Sequence, residues 1–523
     1  MELPLTPLDF MRRARRLYAN REAVVDGADR WTYAQFFERC DRWSTALQAL
    51  GVCQGDRVAY LAPNTHAQLE SFYAVPQIGA VLVPINFRLS TQEVAYLINH
   101  SGATIVCAAG THLDLIDDLR NYVPGVRHFI ALEDARLGWG DYEALLASAA
   151  PEPARPAIGE HDLLTINYTS GTTSRPKGVM ITHRNAWVNA VGTLLHFPLT
   201  CGDRYLWTLP MFHANGWTFT WMVTAAGATH ICLRKVDPAQ IFPLVREEGV
   251  TALCAAPTVL IGLAHASESL RAGAPAGVRV LTAGAPPASA TIDAIETGLG
   301  WCITQAYGLT ETAPFITACE PRPEHAALAP AARAAIKARQ GVELITSGEL
   351  RVVGPSGIEV PHDGEARGEI VVRGNVVMQG YFNDPEATER ALGDGWFHTG
   401  DVAVVHPDGY VEIRDRLKDV IISGGENISS VEVEAMLLGH PAIREAAVVG
   451  LPDERWGEAP HAFIVLKEGA DTTPDSLRAF SRLRLAHFKT PHSFTFVTEL
   501  PKTATGKIQK YVLRGGHANI SAQ

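Results

Sequence analysis

The segment Tyr168-Thr169-Ser170-Gly171-Thr172-Thr173-Ser174-Arg175-Pro176-Lys177-Gly178 gathers five Ser/Thr residues, two glycines and a lysine directly after the apolar run 163–166. Small and hydroxylated residues let backbone N–H groups and hydroxyls close on phosphate oxygens. Lys177 adds a positive charge. The Gly-Lys-Ser/Thr ending of a Walker A loop is absent. A plain polar turn is the alternative. The composition argues against it, although the loop alone does not name a ligand.

Four further segments carry groups suited to chemistry. They are Gln305-Ala306-Tyr307-Gly308-Leu309-Thr310-Glu311-Thr312 and Gly395-Trp396-Phe397-His398-Thr399-Gly400-Asp401. Then come Asp415-Arg416-Leu417-Lys418-Asp419 with Ser423-Gly424-Gly425-Glu426-Asn427-Ile428, and last Pro501-Lys502-Thr503-Ala504-Thr505-Gly506-Lys507. Taken singly, Asp401 or Arg416 is more often half of a surface ion pair. Gly424 and Gly425 alone read as a hairpin turn.

In this order and spacing, the five segments resemble the adenylate-forming superfamily of acyl-CoA synthetases, adenylation domains and luciferases. The resemblance spans nearly the whole chain and is strongest to the acyl-CoA synthetase, or fatty-acid–CoA ligase, family. It implies a ligase that joins a carboxylic acid to ATP as an acyl-adenylate with loss of pyrophosphate, then passes the acyl group to coenzyme A and releases AMP. Two anions must meet in the first step, so the site has to neutralise charge and align the attack.

The resemblance also implies roles. Thr169, Ser170, Gly171, Thr172, Thr173 and Lys177 hold the β- and γ-phosphates. Glu311, with Thr169, ligates Mg²⁺, a hard cation suited to oxygen donors. Tyr307 stacks on adenine, Gly284 and Ala285 line the same slot, and Gln305, Ala306, Gly308 and Thr310 complete the nucleotide site. Asp401 accepts from the ribose hydroxyls, and Arg416 reaches the ribose or the phosphates. Gly424 and Gly425 belong to a loop that swings against the nucleotide when coenzyme A binds. Lys507 bridges the carboxylate and the α-phosphate. The phosphate loop departs from the family pattern at Ser174, where glycine is commoner, and at Arg175. Ser174 restricts the backbone if a positive φ is needed there.

Pro210-Met211-Phe212-His213-Ala214-Asn215-Gly216-Trp217 resembles the fatty acyl-CoA synthetase segment that carries an aromatic gate. It implies that His213 lies beside the acyl carboxylate and that Trp217 closes or opens the acyl tunnel, with Gly308 also facing the acid. A structural histidine and a core tryptophan are the alternatives. The acid expected is a medium- to long-chain fatty acid. An apolar pocket discriminates each methylene by only ~1–3 kcal/mol, so aryl and short branched acids stay open.

Three other functions compete with this reading. A peptide-synthetase adenylation domain hands its product to a carrier. Asp475-Ser476-Leu477 resembles a carrier attachment tripeptide, but it precedes the Lys507 segment and no carrier-sized stretch follows. A luciferase-type oxygenase shares the first half-reaction. A non-catalytic acyl- or nucleotide-binding protein is disfavoured by the presence of Glu311, Asp401, Arg416 and Lys507 together.

A site assembled from positions 169 to 507 requires a large scaffold. The 523 residues exceed one hydrophobic core and imply at least two domains. The chain is 47% apolar and 19% charged, which suits a globular protein. A net charge of -11 argues against a nucleic-acid partner. The eight cysteines stand singly, without CxxC or zinc-ligand spacing, and read as free thiols in a reducing cytoplasm. Arg12, Arg13, Arg15 and Arg16 are not followed by a long apolar run, so they read as a solvated helix face, with a peripheral membrane contact as the alternative. No integral membrane association is expected. The partners are the acid, ATP and coenzyme A, and a homodimer is compatible with the sequence.

Short apolar runs at 57–62, 80–85, 103–107, 128–132, 252–256 and 278–282 alternate with helix-length segments, which predicts an α/β fold with largely parallel sheets. After about residue 341 short strands and Gly turns predict a β-rich subdomain. The fold expected is a large N-terminal domain, residues 1–415, and a small α+β C-terminal domain, residues 416–523, joined by a hinge. The family resemblance puts the pivot at Lys418.

Overall fold

The computed structural model describes residues 2–110, 112–169, 176–423, 426–453, 455–503 and 506–515. Among them the architecture is mixed α/β, with a large N-terminal domain and a smaller C-terminal one. Two big sheets dominate the first. One has nine strands and runs Val342–Glu343, Phe315–Ala318, Cys302–Gly308, Arg279–Thr282, Ala252–Cys254, Arg204–Leu206, Thr229–Ile231, Glu22–Asp26, Asp29–Thr32. Its inner strands are parallel and its edges antiparallel. The other has eight strands and runs from Gly380–Tyr381 through Lys177–Thr182, Leu163–Thr169, Val81–Pro84, Arg57–Leu61, Ala103–Ala108 and His128–Ala131 to Gly140–Asp141.

Side-chain alternation explains the layering. In Arg57–Leu61, Val58 and Tyr60 face the central core while Ala59 and Leu61 face an outer one. Both faces are therefore buried, and the strand reads as a continuous apolar run. The central core packs the helices Tyr33–Ala49, His66–Ala74 and Phe219–Ala226 between the two sheets. The outer cores take Thr91–Ser101 on one side and Pro238–Glu247, Pro257–Ala264 and Ser289–Leu299 on the other. Local signals start these helices. Thr32 and Gln35 form a capping box before Tyr33, and Ser90 and Glu93 form one before Thr91.

The β-rich stretch is an antiparallel sheet of Glu349–Val353, Gly368–Arg373, Phe397–Val405 and Val411–Arg416. Its last strand runs through residue 415, so Arg416 still pairs with Asp401 in this sheet. The C-terminal sheet follows a turn. It is built on the long hairpin Ile443–Asp453 and Gly457–Leu466. Ala446 and Val448 pack on one side of it and Ala447 and Val449 on the other.

The basic N-terminal helix Leu8–Leu17 is not a uniformly solvated face. Arg15 makes a bidentate bond to Asp41 at 2.6 and 2.7 Å, and Arg13 donates to the Ala225 carbonyl. These two arginines fasten the helix to the body of the protein. The eight cysteines are all free thiols, and no helix among the described residues is long and apolar enough to cross a membrane.

Candidate active site

A cavity of about 270 Å³ opens where the two domains face each other. The expected residues His213, Trp217, Gly284, Ala285, Gln305 and Ala306 line it. Tyr307, Gly308, Asp401, Arg416 and Lys507 also line it, together with residues not singled out in the sequence, such as Thr258 and Glu434. The expected residues come from strand ends and the loops beyond them, where an α/β sheet leaves open backbone.

The candidate phosphate loop is flanked by an antiparallel strand pair. Leu163–Thr169 pairs with Lys177–Thr182, and Thr169 stands opposite Lys177 at the mouth of the loop. Ser170, Gly171, Thr172, Thr173, Ser174 and Arg175 lie outside the described residues, as do Gly424, Gly425, Ala504 and Thr505. Below the loop the Tyr168 hydroxyl meets His100 Nδ1 at 2.8 Å.

Tyr307 ends the strand Cys302–Gly308 and is buried. Its hydroxyl donates to Asp401 Oδ2 at 2.7 Å, and Arg416 Nε lies 3.1 Å from Asp401 Oδ1. Gly308 has no room for a side chain, since a Cβ would collide with the Pro314 carbonyl. Thr310 and Glu311 follow in a single 3₁₀ turn, Thr310–Thr312. Burial pushes the Glu311 carboxyl up from its ordinary range, and Tyr381 donates to its Oε1 at 3.0 Å. The hard oxygens of Glu311 and Thr169 suit a cation such as Mg²⁺. One carboxylate is an adequate protein share, because such an ion keeps waters and takes phosphate oxygens.

The segment that carries His213 and Trp217 is built on unusual backbone. Ala214, Asn215, Gly216, Trp217 and Thr218 all have positive φ, between 38° and 67°. For the four residues that are not glycine this left-handed turn costs ~1–2 kcal/mol each. Tertiary contacts hold it. Asn215 donates to the Thr165 hydroxyl at 2.8 Å, and Gly216 sits against Trp207 and Met211. The turn carries Trp217 into the core, 3% exposed. Its ring packs edge-on to Phe315 at 5.7 Å and lies against Gly284, where a Cβ would stand 3.6 Å from it. Burial and the neighbouring Lys507 push His213 down to about 4, so it is a neutral hydrogen-bonding group at physiological pH.

Lys507 reaches this cavity from the C-terminal domain. Its backbone N–H donates to the Thr503 hydroxyl at 3.1 Å and its carbonyl accepts from Thr503 N–H at 2.7 Å. Gly506, at φ 81°, rests so closely on Thr258 that a Cβ would collide with its hydroxyl. Part of the Lys507 surface faces the cavity, but the ammonium lies deep. Burial, and then the Arg416 charge, lower its pKa to about 7. Arg416, together with Lys507 in its protonated form, can receive a polyphosphate and a carboxylate.

Three participants were not visible in the sequence. Tyr381 reaches Glu311, Thr258 seats Gly506, and Asp415 bonds to Ser430. Only Asp415 fell inside a segment already singled out. Nothing in the spacing around Tyr381 or Thr258 marks them.

The AMP-binding enzyme family model matches residues 10–382, and that of the AMP-binding enzyme C-terminal domain matches residues 432–507. A 2-methylpropanoate–CoA ligase of Humulus lupulus is 42% identical over 532 residues, covering 98% of this chain and 95% of the relative. A 4-hydroxybutyrate–CoA ligase of Metallosphaera sedula is 43% identical over 521 residues, covering 98% and 94%. A solved anthranilate CoA ligase in complex with anthranoyl-AMP matches with a TM-score of 0.88 at 25% identity, covering 98% of both chains.

Proposed function

Since the chain belongs to the AMP-binding enzyme family and is an ATP-dependent acid–CoA ligase, we propose that its acid is short or compact, of the size of butyrate or 2-methylpropanoate. The observation that carries this is Trp217. It is buried, packed on Phe315 and Gly284, and lines the same cavity as His213, so a bulky indole limits the room beside that histidine. The relatives named for 2-methylpropanoate and 4-hydroxybutyrate support the same size class.

In this reading Thr169 and Lys177 hold the triphosphate, with the intervening loop. Glu311 and Thr169 would hold Mg²⁺, which when bound neutralises phosphate charge. Tyr307, Gly284 and Ala285 bound the adenine. Asp401 has lone pairs left for the ribose after meeting Tyr307 and Arg416. His213, neutral, donates to the acid beside Gly308. Lys507 joins the carboxylate to the α-phosphate during adenylation only. The small domain, from residue 416, then turns about Lys418 to admit coenzyme A. Cytoplasmic residence is the compartment that free thiols suit.

A medium- to long-chain acid is the second reading, and the left-handed turn favours it. Five successive residues held at positive φ store strain, and a Trp217 gate that opened by releasing it would make room for a longer chain. A panel of straight-chain, branched and aromatic acids, assayed for acyl-CoA formation, distinguishes the two. The proposal expects kcat/KM to peak at roughly two to six carbons and to fall by about tenfold or more at octanoate. A peak at longer chains would favour the gate that opens.

A further inference from the structure

We propose that Tyr381 is a positioning residue for the triphosphate end of the site: its hydroxyl aligns the Glu311 carboxylate for a divalent cation, while its ring seats the Lys177 ammonium for the phosphates. The inference rests on the reading that Mg·ATP binds here. Glu311 and Lys177 come from different layers. The first follows a strand of the nine-stranded sheet, and the second opens a strand of the eight-stranded one.

The segment around Tyr381 is bonded to both. Met378 N–H donates to the Glu311 carbonyl at 2.8 Å. Gln379 donates to Met180 at 3.0 Å and Phe382 to Gly178 at 2.7 Å, which lays the segment along the strand that begins at Lys177. From this base the Tyr381 hydroxyl reaches Glu311 Oε1 at 3.0 Å. Its ring centroid lies 4.7 Å from Lys177 Nζ, within the range of a cation–π contact. One oxygen of Glu311 is thus held and the carboxylate plane is set, which turns the second oxygen into an oriented donor. Lys177 is held by a ring face, which leaves its N–H donors for phosphate. A single side chain therefore fixes the separation of the cation ligand and the phosphate cation.

The two halves of the role can be separated. Tyr381→Phe keeps the ring and removes the hydroxyl, while Tyr381→Leu removes both. Calorimetric titration of the full chain with ATP, in excess Mg²⁺ and in EDTA, reads them directly. Tyr381→Phe should weaken Mg·ATP binding by about tenfold or more, the scale of one lost hydrogen bond to a charged group, and leave metal-free ATP unchanged. Tyr381→Leu should weaken both. Ligand-free melting curves of the variants should coincide with that of the parent. Parental Mg·ATP affinity in Tyr381→Phe, or equal losses with and without the metal, would overturn the inference. So would a Tyr381→Phe protein that melts far below the parent, because Tyr381 would then be a packing residue. A parent chain that binds no Mg·ATP at all would overturn the underlying reading instead.

Discussion

Tyr307 and Asp401, separated by 94 positions in the chain, are joined by a 2.7 Å hydrogen bond from the phenol to the carboxylate. The bond exists because Asp401 lies on a strand paired with the one that ends in Arg416, and this sheet packs beside the strand end that carries Tyr307. It fixes Oδ2 of Asp401 while Arg416 fixes Oδ1. The adenine and ribose ends of the proposed nucleotide site are therefore one rigid unit.

Tyr307→Phe keeps the ring and frees the carboxylate. It should raise KM for ATP by about tenfold or more, the scale of one charge-assisted hydrogen bond, and leave KM for the acid unchanged. Steady-state kinetics with each substrate varied in turn checks it. An acid KM that rises in parallel would show that the bond shapes the whole cavity.

Trp217→Ala should redirect the acid more than the nucleotide. Removing a buried indole costs about 3 kcal/mol or more, so the melting temperature should fall. The opened space should raise kcat/KM for octanoate relative to butyrate by about tenfold, at an unchanged KM for ATP. An unaltered acid profile with lost ATP binding would make Trp217 a wall of the nucleotide site.

The elements were more legible than the contacts. Arg57–Leu61 was readable as a strand because every inward position on both faces is apolar. Which face met which core was not, since a run buried on both sides carries no alternation. The positions of Tyr307, Asp401 and Arg416 were legible in their motifs, but their mutual bonds depend on strand pairing that no local signal encodes. The left-handed turn was hidden for a different reason. Gly216 and, less readily, Asn215 suit a positive φ, and Ala214, Trp217 and Thr218 adopt one because surrounding contacts impose it. Tyr381 stayed unseen because Gly380-Tyr381-Phe382 has the composition of an ordinary edge strand.

Proton uptake should accompany ATP binding. With its pKa lowered to about 7 in the free protein, Lys507 is largely neutral at pH 8. A bound polyphosphate favours the charged amine and raises that pKa, so the protein takes up a proton. Below pH 7 the amine is already charged and uptake should fade. Calorimetry at pH 8 in buffers of different ionisation enthalpy measures it. Lys507→Met should abolish the uptake, and an undiminished signal in that variant would place the titrating group elsewhere.

The chain around the proposed pivot is clamped. Ser430 donates its N–H to Asp415 at 2.6 Å and its hydroxyl at 2.8 Å, while Lys510 meets Glu434 at 2.8 Å. The Asp415–Ser430 bonds tie the strand before Lys418 to the helix Ser430–Leu438 after it, and the Lys510–Glu434 pair ties that helix to the last helix, Lys510–Gly515. Lys418→Pro adds a fixed φ near −65° at the turn. Acid-dependent ATP–pyrophosphate exchange should survive in this variant while acyl-CoA formation falls by about a hundredfold or more, because the second arrangement needs the turn to rotate. Acyl-CoA formation at the parental rate would rule out a pivot at this residue.

The most direct test of the account is to separate the two half-reactions in Lys507→Ala. Lys507 lies in the cavity within electrostatic reach of Arg416 and His213, and the preceding Gly506 is seated on Thr258. An interaction made in one transition state should affect that step alone. Pyrophosphate release from ATP and acid should fall by about a thousandfold, the scale of one lost charge-stabilising group. Acyl-CoA formation from a supplied acyl-adenylate should stay within about twofold of the parent. Equal loss of both half-reactions in a well-folded Lys507→Ala protein would contradict a lysine dedicated to adenylation, and with it the proposed exchange of domain arrangements between the steps.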